Sequence, residues 1–156
     1  MSAVALDLDG VLGDTRQLWQ DWLADAARRF ASIAELDLAA LPEDRGEAAA
    51  ELDRWSEAGI GDWRAGLERF ASERAPVYLR PDAEASAALR RLAGRGLRLG
   101  AFTDAPEPLA RVAVSQLGAT RRLEALEAGA GALERLLARL GWDAPVLRSR
   151  AELLVL

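Results

Sequence analysis

Two aspartates separated by a single residue, Asp7 and Asp9, stand at the end of the apolar run from Ser2 to Leu8 and are followed at once by Gly10. The chain has no histidine and no cysteine, and all twenty of its cations are arginine. Those absences exclude a Ser-His-Asp triad, a thiolate nucleophile, a zinc site of the usual kind and a disulfide, which leaves carboxylates as the plausible nucleophiles. A second polar tip, Thr103-Asp104, ends another apolar run, Leu97 to Phe102. The sequence therefore twice builds a buried strand that delivers oxygen-bearing side chains to a loop.

The elements that must position these tips follow from periodicity. From Arg16 to Ala75 the pattern is helical, with Leu18, Trp19, Trp22, Leu23, Ala26 and Phe30 on one face. Pro42 and Gly46 break that pattern, as does Gly59-Ile60-Gly61, and Leu52, Trp55, Trp63, Leu67 and Phe70 keep helical spacing between and after the breaks. Pro76 and Pro81 bracket a short extended piece, and Asp82 is placed to start a helix that runs to about Gly94. After the second strand, Pro106 and Pro108 open another helix. A weak strand at Leu123 to Glu127, a helix from Ala132 to Leu140 and a final VLRS complete the alternation.

Strands alternating with helices predict a Rossmann-like parallel sheet, α/β in class, with helices on both faces and its sites at the carboxyl ends of the strands. Asp7, Asp9, Thr103 and Asp104 are expected to converge there. The expected organisation is a core of residues 1–15 and 76–156, with residues 16–75 forming a small all-helical cap inserted after the first strand.

With 156 residues, 51% of them hydrophobic and 29% charged, the chain reads as an ordinary globular domain. Its net charge of -5 argues against nucleic acid as a partner, since that needs clustered cations. The opening MSAVALDLDG lacks the basic region and long apolar run of a signal peptide, and no stretch has the length of a membrane span. A cytoplasmic location without membrane attachment is expected.

The segment DLDGVLGDT, from Asp7 to Thr15, resembles the first motif of the haloacid dehalogenase-like hydrolases, DxDGxxxDT. Its place at the end of a first strand ahead of a helical block resembles that family too, as does the approach from Tyr78 through Gly96 to a strand ending in Thr103. The resemblance implies a phosphatase acting on a small phosphorylated molecule through an aspartyl-phosphate. Asp7 would attack phosphorus, and Asp9 would protonate the leaving oxygen and then activate water. Gly10 would let the backbone approach the ligand, and Thr103, with the residue after it, Asp104, would bind the phosphoryl oxygens. Asp14 reads as a cap or brace for the loop. Magnesium is implied as well, held by Asp7, by Asp9 through its carbonyl, and by a distant carboxylate.

Two departures bear on that reading. The family's third motif supplies a lysine or arginine, yet EALEAGAGA at Glu124 to Ala132 offers no cation, and Arg121 and Arg122 come slightly early and read as surface residues. The fourth motif, GDxxxD, has two registers on VLRSRAE. One sets Arg148 at the main metal-ligand position and Glu152 at the second carboxylate, and the other deletes the motif. Three outcomes stay open: Glu152, Asp104 or Asp143 supplies the missing acid, Arg148 supplies positive charge in place of the metal, or the site no longer turns over and the chain is a binding or regulatory module. Asp104 also reads as an N-cap for the helix at Pro106. Trp55, Trp63, Arg64 and Arg80 read as packing or as lining of a substrate entrance, and Arg45 and Arg64 as the anion contacts of a phosphorylated substrate. Dehalogenation is disfavoured by the presence of Asp9.

Overall fold

The computed structural model describes residues 1–31 and 37–156, so residues 32–36 of the expected helical block lie outside the described residues. Strand β1 spans Ala3–Asp7, β2 Arg98–Thr103, β3 Ala125–Ala128 and β4 Val146–Leu147. They form one sheet in the order β3-β2-β1-β4 with every pairing parallel. The register sets Asp7 opposite Phe102 and Leu6 opposite Leu147, so the ends of β1, β2 and β4 lie side by side.

Period-two alternation assigns the faces. Ala3 and Ala5 of β1 and Phe102 of β2 pack with Ala132, Leu136 and Leu140 of helix α6, Ala132–Leu140. Val4, Leu6, Leu99 and Ala101 face the other way, into a larger cluster with α4 (Ala83–Gly94), α5 (Glu107–Gln116) and α7 (Arg150–Leu154). This is the expected Rossmann-like α/β layering, with helices on both faces. Asp7 shares the parity of Ala3 and Ala5, so its side chain emerges on the α6 side.

Among the described residues, three α-helices lie between β1 and α4 in the chain: α1 (Arg16–Phe30), α2 (Arg45–Trp55) and α3 (Trp63–Tyr78). The apolar face expected of α1 is the buried one, and Trp22 packs against Trp19 and Trp63 with ring centroids 5.3 and 5.9 Å apart. Leu18, Trp22 and Leu67 belong to the same buried cluster as Val4 and Leu6, so the apolar interior runs without a break from the sheet into these helices.

Two expectations about breaks need correction. Gly46 does not end a helix but sits buried in the first turn of α2, where a Cβ would stand 2.8 Å from the backbone nitrogen of Ala130. Its small size permits a close approach, which a reading of glycine as punctuation misses. Pro76 lies inside α3, which continues to Tyr78 instead of giving way to an extended piece. The buried positions Trp63, Leu67, Ala71 and Ala75 recur every four residues, and the helix keeps that packing at the loss of one backbone hydrogen bond near its end. Asp82 does cap α4, its side chain accepting from the nitrogen of Ala85.

Candidate active site

β1 runs out at Asp7 into a tight turn, Leu8–Leu12, whose Leu8, Val11 and Leu12 are buried and therefore anchor it. Gly13 donates its amide to the Leu8 carbonyl at 3.1 Å and Gly10 donates to Gly13 at 2.8 Å, closing the loop on itself. Gly10 has φ +112°, and a Cβ there would lie 2.6 Å from the carbonyl oxygen of Arg148. Only glycine lets the acidic loop turn this sharply against the end of β4. Arg150 braces the same loop by donating to the carbonyls of Val11 and Leu12 at 3.3 and 3.2 Å.

Asp9 is turned into the protein. One of its oxygens accepts from the amide and the hydroxyl of Thr15, both at 2.7 Å. The other accepts from Thr103 Oγ1 at 2.8 Å and from Arg45 Nη2 at 2.5 Å. Arg45, the first residue of α2, is only 4% exposed. Its guanidinium also donates to Asp104 Oδ1 from Nε and Nη2, at 3.0 and 2.8 Å, and to Thr15 Oγ1 at 2.6 Å, while its amide reaches Asp104 Oδ2 at 3.1 Å. Thr15, Arg45 and Thr103 are the buried polar residues among the described part of the chain, and all three belong to this one web. A buried cation is tolerated here because nearly every donor it carries has an acceptor.

Asp7 has different surroundings. One oxygen accepts from the amide of Asp9 at 3.1 Å, and the other faces Arg148 Nη1 at 3.4 Å. Burial, and next the nearby Asp9 carboxylate, push the Asp7 carboxyl above its ordinary range, with Arg148 opposing. Asp7 lines an open cleft of about 320 Å³ together with Phe102, Thr103, Asp104, the turn Gly129–Gly131, the first residues of α6 and Arg148. No side chain caps α6 at that end. The first turn of α6 and Arg148 thus place the positive end of a helix dipole and a cation on the cleft wall, and Asp44, Asp104 and Glu134 are carboxylates on it.

The residues expected to converge, Asp7, Asp9, Thr103 and Asp104, are all at this end of the sheet, with Gly10 beside them. Their hydrogen bonds differ from expectation. The hydroxyl of Thr103 is engaged with Asp9, and Asp104 is turned to Arg45 and does not cap α5, whose N-cap is Pro106 without a side-chain bond. Asp14 braces the loop as expected, accepting from the Arg16 amide at 2.9 Å and pairing with its guanidinium, which lowers the Asp14 carboxyl. Arg64 pairs with Asp53 and stacks over Trp63. Trp63 itself is buried, so it serves packing.

The expected magnesium set is not assembled. Arg148 directly follows β4, which favours the register that aligns it with the family's metal ligand. Glu152 lies four residues on and accepts from the Arg148 amide and the Ser149 hydroxyl, at 3.2 and 3.0 Å, as part of the start of α7. Among the described residues no three carboxylates gather in a way that could hold a metal ion. A guanidinium occupies the side of Asp7 where a cation would bind, so the residues present do not fit magnesium.

Sequence reasoning missed the part played by Arg45 as the counter-charge of both Asp9 and Asp104. The available signal was Asp104 itself, an extra carboxylate beside Asp7 and Asp9 that needs a partner when the strand tips meet. Arg135 was missed as well. It donates to the Ala128 and Ala130 carbonyls, both at 2.5 Å, and so shapes the turn ahead of α6.

The sequence pattern of the haloacid dehalogenase-like hydrolases matches residues 1–145, and the chain belongs to that family. Among solved structures it resembles CbbY from Rhodobacter sphaeroides in complex with phosphate, with a TM-score of 0.64 and 16% identity over 96% of this chain and 76% of that one. It also resembles a Thermotoga maritima structure assigned as a β-phosphoglucomutase, with a TM-score of 0.55 and 19% identity over 94% of this chain and 75% of that one. Identities this low establish a shared fold. No curated protein matches the chain. No helix among the described residues is long and apolar enough to cross a membrane.

Proposed function

We propose that this haloacid dehalogenase-like hydrolase is a phosphatase of small phosphorylated molecules, working through an aspartyl-phosphate on Asp7. The observation that supports it is the position of the Asp7 carboxylate. It stands at the carboxyl end of β1, on the wall of a cleft that also holds Arg148 and the uncapped first turn of α6. Both are groups that attract a phosphate dianion.

An Asp7 oxygen forms the new bond to phosphorus as the ester P–O bond breaks, and the leaving oxygen takes a proton from Asp9. Asp9 then removes a proton from water, whose oxygen attacks phosphorus, breaks the bond to Asp7 and releases inorganic phosphate. In the arrangement described above the two Asp9 oxygens accept four donors, leaving neither free to carry that proton. Arg45 sits at the start of α2, so movement of α2 away from the acidic loop would free one Asp9 oxygen from its arginine, leaving Thr103 as that oxygen's donor. Magnesium enters no step of this reading. Helices α1, α2 and α3 act on this view as the cap, with Arg45 as its contact with the site.

The bonds of Asp9 also favour a second reading, in which the chain keeps the anion cleft as a binding or regulatory module without turnover. Hydrolysis of p-nitrophenyl phosphate and a panel of sugar and nucleotide phosphates separates the two. For the phosphatase, Asp7→Asn lowers the rate by about a hundredfold or more. Equal rates in the parent and Asp7→Asn across the panel would leave the binding module as the better account.

A further inference from the structure

We infer that Arg148 takes the place of the divalent cation, so that the chain binds a phosphate group at Asp7 without magnesium. This rests on the phosphate-cleft reading and holds for either of its two forms. Three features fix Arg148 where it is. Its backbone follows Leu147, which pairs in register with Leu6, so it emerges beside Asp7. Its carbonyl is so close to the acidic loop that a Cβ on Gly10 would strike it. Its guanidinium lies over the Phe102 ring, 5.5 Å from the centroid, with Nη1 3.4 Å from Asp7 Oδ2.

A magnesium ion at the Asp7 carboxylate would meet this guanidinium at close range, and Glu152, the expected distant carboxylate, is bonded at the start of α7. The carboxylates on the cleft wall, Asp44, Asp104 and Glu134, do not gather with Asp7 into a group that could hold a metal ion among the described residues. Arginine, by contrast, carries a permanent positive charge and a planar set of donors that matches two phosphate oxygens. It offsets the charge of the anion and of Asp7 together, as a metal would. The side chain is 60% exposed, so it can turn to an incoming ligand.

Calorimetric titration of the full chain with inorganic phosphate, once with EDTA and once with excess magnesium, tests this, alongside paramagnetic resonance of added manganese. The expected result is phosphate affinity unchanged by magnesium, no site-bound manganese in the parent, and a loss of about tenfold in affinity in Arg148→Ala. Arg148→Asp should lose metal-free phosphate binding and gain a manganese site. If that variant fails to fold, Arg148→Gln serves for the phosphate measurement. Phosphate binding that requires magnesium, or manganese bound by the parent and released by Asp7→Asn, would overturn the inference while leaving the phosphate cleft intact. Absence of phosphate binding under both conditions would overturn the cleft reading, and this inference with it.

Discussion

The two aspartates of the acidic loop are two residues apart and each faces an arginine, yet the two pairs live in different physical worlds. Asp9 and Arg45 are buried, with Thr15, Thr103 and Asp104 satisfying what the pair leaves over. Asp7 and Arg148 meet at longer range on the wall of an open cleft, and the arginine is largely in solvent. A buried, fully bonded pair defines an arrangement and resists change, because removing one member strands the others. An exposed pair contributes little to stability and leaves both members available to a ligand. The Asp9 half therefore reads as the part held in place by its partners, and the Asp7 half as the part that receives the phosphate.

Substitutions should separate the halves. The largest effect belongs to Arg45→Ala, which leaves Asp9 and Asp104 without their shared cation. It should cost about 3–5 kcal/mol in denaturant unfolding. Next is Gly10→Ala, where a side chain is forced into a positive-φ position and against the Arg148 carbonyl. A loss of about 1–3 kcal/mol is expected, and phosphate binding should weaken with it because the end of β4 must shift. Arg148→Ala should change stability by no more than about 0.5 kcal/mol, in contrast to Arg45→Ala. Equal losses for the two arginines would erase the distinction drawn between the pairs.

The strand tips were legible in the sequence because an apolar run ending in Asp, Gly or Thr has one reading in an alternating βα chain. The family motif from Asp7 to Thr15 sharpened it. Contacts that depend on distant partners were not legible. Nothing local to Arg45 shows that it meets Asp104, 59 residues away, and a glycine reads as a helix break until Ala130 is seen against it. Pro76 misled for a related reason, since the packing of Ala75 outweighs its local preference to end a helix. Arg148 lay between these cases. Its alignment with a metal ligand was one of two registers, and the pairing of β4 with β1 favours it.

A smaller effect concerns Asp7 alone. Its carboxyl titrates above the ordinary range in the folded chain, mainly because it is buried and next because Asp9 is near. Its ionisation therefore costs stability at neutral pH, and that cost begins to shrink as pH falls through the raised value and is gone below the ordinary carboxyl range. Asp7→Asn should raise the Tm by about 1–3 °C at neutral pH, with the gain fading in acid. A fall in Tm at neutral pH would mean that Asp7 is held more firmly by Arg148 than the geometry indicates.

The central claim is that a phosphate group binds on the open, Asp7 side of the acidic loop. Amide chemical-shift mapping of the full chain during titration with inorganic phosphate tests it most directly. The account predicts that the largest shifts fall on Phe102, Gly129, Ala132, Leu133 and Arg148, with small ones at Thr15 and Arg45. Saturable shifts confined to the surface of α3, with the cleft residues unmoved, would contradict it.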